Sequence, residues 1–182
     1  EQNRTRGVSL ANKICKDYRR EGIYFDEILE RAEYGVRFMN EIELKLCDIQ
    51  VRLFELSGEK EYNSAEFIRV FMLSETAKEL DLKYNRMQWA GEEYLLEEII
   101  TNANGKIEKN GEIYSKDILY WIGYIYRYWH YYTGEASNKI YRQASEKTMK
   151  RNYMMFHTMA PEIAIEDLKE IHLQKKVKSF TL

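Results

Sequence analysis

The chain has 182 residues, 45% of them apolar and 32% charged, with a formal charge of −2. That balance fits one globular domain and excludes both a disordered chain and a protein that coats nucleic acid over its whole surface. Two cysteines, Cys15 and Cys47, are too few for a disulfide scaffold and lack metal-binding spacing, so they read as reduced thiols of a cytoplasmic protein.

A single proline and an abundance of strong helix formers predict an all-α fold. The expected architecture is a single-domain bundle of about six to eight helices over residues 1–182. The opening EQNRTRGVSLANK has no apolar run of the kind a secretory signal carries. Ser9 caps a short first helix reaching about Arg20. From Asp26 to about Leu56, Ile28, Ala32, Met39, Ile42, Leu46, Ile49, Leu53 and Leu56 recur at helical steps. Gly35 is the weak point of that long helix, and Ser57-Gly58 ends it. Asn63 or Ser64 caps the next helix, which holds Phe67, Ile68, Phe71 and Met72, and Ser74 restarts or kinks it. A helix over Gln88 to Thr101 follows, with Trp89, Tyr94, Leu95 and Ile99 turned inward.

These N-terminal helices span 9–102. Residues 103–114 form a loop or a short β-hairpin near 106–114, because Asn110-Gly111 is a tight-turn signal but the flanking runs are short. C-terminal helices occupy 115–176. Ser115 caps an aromatic helix that stops at Thr133-Gly134, ASNKIYRQA is a short helix, Ser145 caps EKTMKRNYMMFHT, and Pro161 opens the last helix.

The aromatic helix contains YWIGYIYRYWHYY, eight aromatic rings in thirteen positions. It does not read as a membrane span. Lys116, Asp117, Arg127 and His130 lie in the same stretch, and a charge at a helix centre costs about 2.5–3.5 kcal/mol on insertion. Ile118, Ile122, Ile125 and Trp129 make one stripe, which is core, joined by Trp121, Met149, Tyr153 and Phe156. Tyr120, Tyr124, Arg127, Tyr128 and Tyr131 make a second face. Tyrosine joins a large apolar body to a polar tip, so this face suits either neighbouring helices or a protein partner, a cognate toxin or a second copy of the chain.

Catalytic signatures are sparse. There is no phosphate-cradling glycine loop, no nucleophile elbow and no histidine pair at metal spacing, so neither cofactor nor metal is expected. Between residues 138 and 152, Lys139, Arg142, Lys147, Lys150 and Arg151 face only Glu146 in opposition. Two short helices joined by a tight turn can carry such charge to a DNA backbone, although a solvated basic face is the ordinary outcome.

The stretch RNYMMFH resembles the motif of HEPN-domain ribonucleases, in which an arginine and a following polar residue precede a histidine on a late helix. The resemblance implies that Arg151 stabilises phosphate charge, Asn152 supports it and His157 acts as acid or base, without a metal. The chemistry is sound: guanidinium pairs with a phosphodiester and imidazole titrates near neutrality.

DILYWIGYIYRYWHYYTGEASNKIYRQA followed by RNYMMFHTMAPEIAIEDLKEI looks like a group of small helical bacterial proteins. They share a tyrosine- and tryptophan-rich helix with a downstream YHT-x-P/D element, and are encoded in toxin–antitoxin or mobile loci. The similarity covers residues 117–171. It implies a cytoplasmic bacterial protein of a toxin–antitoxin or phage-defence module, foremost an antitoxin that binds a partner enzyme and holds it inactive.

Overall fold

The computed structural model of the chain describes residues 39–103 and 107–180, with side chains through Val177. The helix expected at Ser9–Arg20, the first part of the Asp26–Leu56 pattern, Gly35 and Cys15 lie outside the described residues. Within them the protein is all-helical, as the composition predicts.

The first described helix, α1 (Glu41–Glu59), begins at a capping box. Asn40 Oδ1 accepts from the amides of Ile42 and Glu43, both at 3.0 Å, and Glu43 Oε2 accepts from the Asn40 amide at 3.0 Å. The reciprocal bonds satisfy donors that a helix start leaves open. They break the single pattern expected from Asp26 to Leu56 at Asn40. Ile42, one turn-start residue of that pattern, faces solvent, while Leu46 and Leu53 are buried.

Helix α2 (Ser64–Leu73) is capped by Asn63. Ser74 then both ends α2 and starts α3 (Glu75–Asp81): its hydroxyl donates to the Phe71 carbonyl at 2.7 Å and accepts from the Ala77 amide at 3.1 Å. The helix expected from Gln88 forms differently. Arg86–Trp89 is a 3-10 turn, and α4 (Glu92–Asn102) starts only after Gly91. Leu95, Leu96 and Ile99 form its buried stripe, which leaves Tyr94 at the edge and Trp89 off the helix altogether, both exposed.

Residues 104–106 lie outside the described residues. No strand occurs among the described residues, so of the two outcomes expected for 103–114 the described part, 107–114, is a loop and not a hairpin. Its backbone is satisfied by α2 instead of by itself. The Asn63 amide donates to the Glu108 carbonyl at 2.9 Å and the Ser64 amide to the Glu112 carbonyl at 3.0 Å. In return the Tyr114 amide donates to Ser64 Oγ at 2.9 Å and the Glu108 amide to Glu66 Oε2 at 3.0 Å. Gly111 sits against the Asn63 side chain so closely that a Cβ would come within 2.0 Å of its Nδ2.

The aromatic helix, α5 (Lys116–Thr133), ends at Gly134, whose φ of 74° is one that glycine adopts without strain. Short α6 (Ser137–Gln143), α7 (Glu146–Phe156) and α8 (Pro161–Phe180) complete the set. Helix α5 lies along α1, and Gly123 is what lets them meet: a Cβ there would sit 3.1 Å from Val51 Cα and 3.2 Å from the Gln50 carbonyl oxygen. Trp121, Ile122, Ile125, Trp129, Met149 and Phe156 are buried as the sequence predicts. Tyr153 is half-buried, its ring edge-on to Trp121 at 5.7 Å. Phe54 anchors the other side, edge-to-face with Phe67 and Phe71 at 5.9 and 5.4 Å. No described helix is long and apolar enough to cross a membrane.

Candidate functional site

The site residues expected from the sequence fall mainly in three places: a buried cluster around α5, the tyrosine face of that helix, and the outer side of α7.

The buried cluster centres on Arg127, which the sequence places on a partner-facing surface. The structure corrects this. Its side chain is 1% exposed, because the turn of α5 that carries it faces α1 and α3. The guanidinium donates from Nε to Gln50 Oε1 and from Nη1 to Asp81 Oδ1, both at 2.8 Å. Gln50 in turn donates to the Gly123 carbonyl at 3.1 Å. Asp81, at the end of α3, accepts from both the amide and the hydroxyl of Ser137 at 2.7 Å, which fixes the start of α6. One ion pair thus joins four helices. Nη2 of Arg127 finds no hydrogen-bond partner among the described residues.

His130 stands beside the pair. Its Nδ1 is 2.7 Å from the Glu135 carbonyl and 3.7 Å from Asp81 Oδ1. Contact with a carbonyl requires the proton on Nδ1. Burial and the Arg127 charge hold its pKa below the ordinary histidine value, against the pull of Asp81. Glu135 is itself held by Trp129 Nε1 at 3.0 Å and Gln143 Nε2 at 2.8 Å. Cys47 lies buried nearby, its thiol pushed up to about 12 by burial although Arg127 opposes the shift. A thiol so raised is a poor nucleophile. The cluster therefore has the chemistry of a structural clamp.

Sequence reasoning missed Asp81, Gln50 and Ser137. A signal was present: Arg127 is the one full charge in a stretch otherwise made of rings and aliphatics, and a buried cation needs a partner.

On the tyrosine face, Tyr120, Tyr124, Tyr128 and Tyr132 form a row at successive turns, with ring centroids 6.3, 5.8 and 6.5 Å apart. Exposure falls from Tyr120 to Tyr128, and Tyr132 at the end of the row is again partly exposed. Tyr120 is 49% exposed and Tyr124 partly buried, whereas Tyr128 and Tyr131 are buried. The Tyr128 hydroxyl donates to Glu162 at the start of α8. Burial raises both Tyr124 and Tyr131 to about 12. Of the five residues expected on a partner-facing surface, Tyr120 and Tyr124 stay accessible, while Arg127, Tyr128 and Tyr131 belong to the interior.

Helix α7 carries the arginine–histidine motif in its last two turns. Arg151 and His157 are both exposed. Arg151 makes no ion pair among the described residues. The His157 ring stacks on Tyr153 at 4.7 Å and its Nδ1 lies 3.0 Å from the Tyr153 carbonyl, so Nε2 is left as the acceptor. Asn152 does not face outward beside them; its amide donates to the Thr148 carbonyl at 2.8 Å, a bond within its own helix. Around the motif Met154, Met155, Met159 and Ile163 are exposed.

Of the basic residues, Lys139, Arg142 and Lys147 face solvent. Lys150 is engaged at the surface instead, paired with the exposed Glu112 and lying 4.5 Å above the Tyr114 ring. Among the described residues no group of three or more histidine, cysteine, aspartate and glutamate side chains is arranged to hold a metal ion.

No family model matches the chain, and no curated protein or solved structure is similar to it.

Proposed function

We propose that the chain is a protein-binding component of a bacterial toxin–antitoxin or phage-defence module, an antitoxin that works in the cytoplasm and holds a partner enzyme inactive. The observation that carries this reading is the apolar surface where α7 meets α8. Met154 is 77% exposed there, and Met155, Met159 and Ile163 are exposed within the same short stretch. Apolar side chains gathered in water mark interaction sites, and methionine adapts its flexible thioether to an irregular partner surface. Tyr120 and the accessible edge of Tyr124 add amphipathic rings of the kind enriched at interfaces. The resemblance over residues 117–171 supplies the class of partner.

Co-expression with the product of the neighbouring gene tests the reading. The expected result is a stable complex and rescue of growth. Met154→Asp and Tyr120→Ala should each weaken the complex about tenfold or more without lowering the melting temperature, since truncating a central contact typically costs more than about 1 kcal/mol. A neighbour that neither binds nor harms growth when expressed alone removes the proposal.

A second reading, a metal-independent ribonuclease, is supported by the shared exposure of Arg151 and His157 at one end of α7. It lacks the supporting asparagine, which is turned to its own helix.

A further inference from the structure

The connector from α3 to α4 exposes its aromatic side chains in a way that no feature of the core requires. Tyr84 is 85% and Trp89 79% exposed, and Leu82 and Tyr94 are each more than half exposed. Tyr94 stands on the first turn of α4, and the connector that carries the other three is built to hold its shape. Asn85 Oδ1 accepts from the Met87 amide at 2.8 Å, the Gln88 amide donates to the Asn85 carbonyl at 3.1 Å, and the Gln88 side chain donates to the Leu82 carbonyl. Met87 is the buried peg that seats the turn. Rings standing in water on a preorganised turn lose little entropy when they are covered.

Beside the Trp89 indole runs an open groove of about 330 Å³ lined by Arg86, Met87, Trp89, Ala90 and Tyr94. The surface thus carries a projecting ring and a receptacle side by side. Its charge is mixed. Lys83 and Arg86 lie on the connector, and Glu93 is exposed in the first turn of α4 with its carboxylate near Gly91, Glu92 being taken up by Arg52 at 3.1 Å. A mixed surface has little bias toward a strongly acidic or basic partner, and it lacks the positive track that single-stranded nucleic acid needs. Knob, hole, bases and acids on one patch are what a two-fold contact requires, because each group must meet its complement on an identical surface.

We infer that this patch is a self-association surface, with a second copy of the chain as its occupant. In that pairing Trp89 enters the groove of the other copy, and Arg86 faces Glu93 of the partner subunit. The four apolar side chains together offer roughly 600 Å² per copy, taking about 150–250 Å² for each fully covered aromatic. A standard interface uses roughly 800 Å² per partner, so the stems of Arg86 and Glu93 bring the contact near that size and the dimer is weak. The inference is independent of the antitoxin reading, which concerns the corner of α7 and α8.

Sedimentation equilibrium of the full chain across the micromolar range tests it. The expected result is a reversible monomer–dimer equilibrium that Trp89→Ala weakens by about 30-fold or more, as for a central hot-spot residue. Arg86→Glu and Glu93→Arg should each weaken the dimer, and the double swap Arg86→Glu/Glu93→Arg should restore it toward wild type. Circular dichroism melts that match wild type keep a folding defect from passing as a loss of contact. A chain that stays monomeric throughout, a dimer that Trp89→Ala leaves unchanged, or a double swap no better than either single change would each overturn the inference.

Discussion

Arg127 and Arg151 are 24 positions apart on two helices of one bundle, and their surroundings differ in every respect that matters. Arg127 lies 1% exposed against polar partners drawn from α1 and α3, the second of which also holds Ser137 of α6. Arg151 stands in solvent among exposed methionines. The sequence assigned the surface role to the first and a catalytic role to the second. The comparison shows what each environment asks for. A buried guanidinium needs polar partners, so it dictates where Gln50 and Asp81 go, and Asp81 in turn holds Ser137. The exposed one dictates nothing around it and is left free for a ligand.

Removing one member of the buried pair is the most forceful way to break the comparison. Arg127→Ala leaves Asp81 with its charge in the interior, and cutting one partner from a buried pair costs about 3–5 kcal/mol. Urea denaturation should register a loss of that size. The double change Arg127→Met/Asp81→Leu should recover part of it, because neither charge remains, though the Ser137 amide then loses its acceptor. Recovery to nearly wild-type stability would mean that the clamp contributes geometry and little net energy. A single Arg127→Ala loss below about 1 kcal/mol would contradict the burial itself.

Gly123→Ala is a smaller test of the same region. The added methyl would lie 3.1–3.3 Å from backbone atoms of Gln50 and Val51, and backbone cannot swing aside as a side chain does. Overpacking of this kind costs about 1–3 kcal/mol. The loss should appear in the melting temperature, and it should partly uncouple Gln50 from Arg127 by pushing α1 away from α5.

The pH dependence gives a gentler probe. His130 titrates lower in the folded chain than the ordinary 6.5, chiefly through burial and then through the Arg127 charge, with Asp81 opposing. Between the two values the unfolded chain binds the proton that the folded chain refuses, so stability rises with pH across that window. The contribution is complete above 6.5 and is lost progressively as pH falls from there toward the folded pKa. His130→Gln should flatten the slope of stability against pH in that range. His172 shifts in the same direction, through slight burial and the charges of Lys176 and Lys175, so some slope should persist. An unchanged slope in the variant would mean that His130 is not held neutral.

What could be read from the sequence followed from local rules. The core stripe of α5 and the caps at Asn63, Ser74 and Gly134 rest on spacing and turn chemistry within a few residues. The errors came where a distant element competed. At Asn110-Gly111 the sequence left hairpin and loop both open, and Asn63 and Ser64, up to 50 residues away, decide for the loop by bonding its backbone. Asn40 and Glu43 form a capping box inside an unbroken hydrophobic period, and the cap decided where the helix begins. Arg127 shares a face with tyrosines on a helical wheel, yet its partner Asp81 lies 46 residues off, and no periodicity points there. Trp89 misled in the opposite sense: an apolar ring is expected inside, and a 3-10 turn set it in water.

The smallest expected effect on stability falls at the other arginine. Arg151 and His157 are exposed at the end of α7, and the buried stripe of that helix is Met149 and Phe156, so truncation removes no core contact. Arg151→Ala and His157→Ala should each shift stability by no more than about 0.5 kcal/mol. Their effect on RNA cleavage divides the two functional readings. If the pair is catalytic, Nε2 of His157 is the free acceptor that can take a proton from a ribose hydroxyl, and Arg151 holds the phosphate. Loss of such a general base costs about 10²–10⁴-fold in rate. Purified wild-type protein would then cleave single-stranded RNA without added metal, and both variants would be nearly inert. The antitoxin reading expects no cleavage by any of the three, together with unimpaired rescue of growth by Arg151→Ala. Cleavage that survives both substitutions would remove the motif from either account, since activity would then reside elsewhere in the chain.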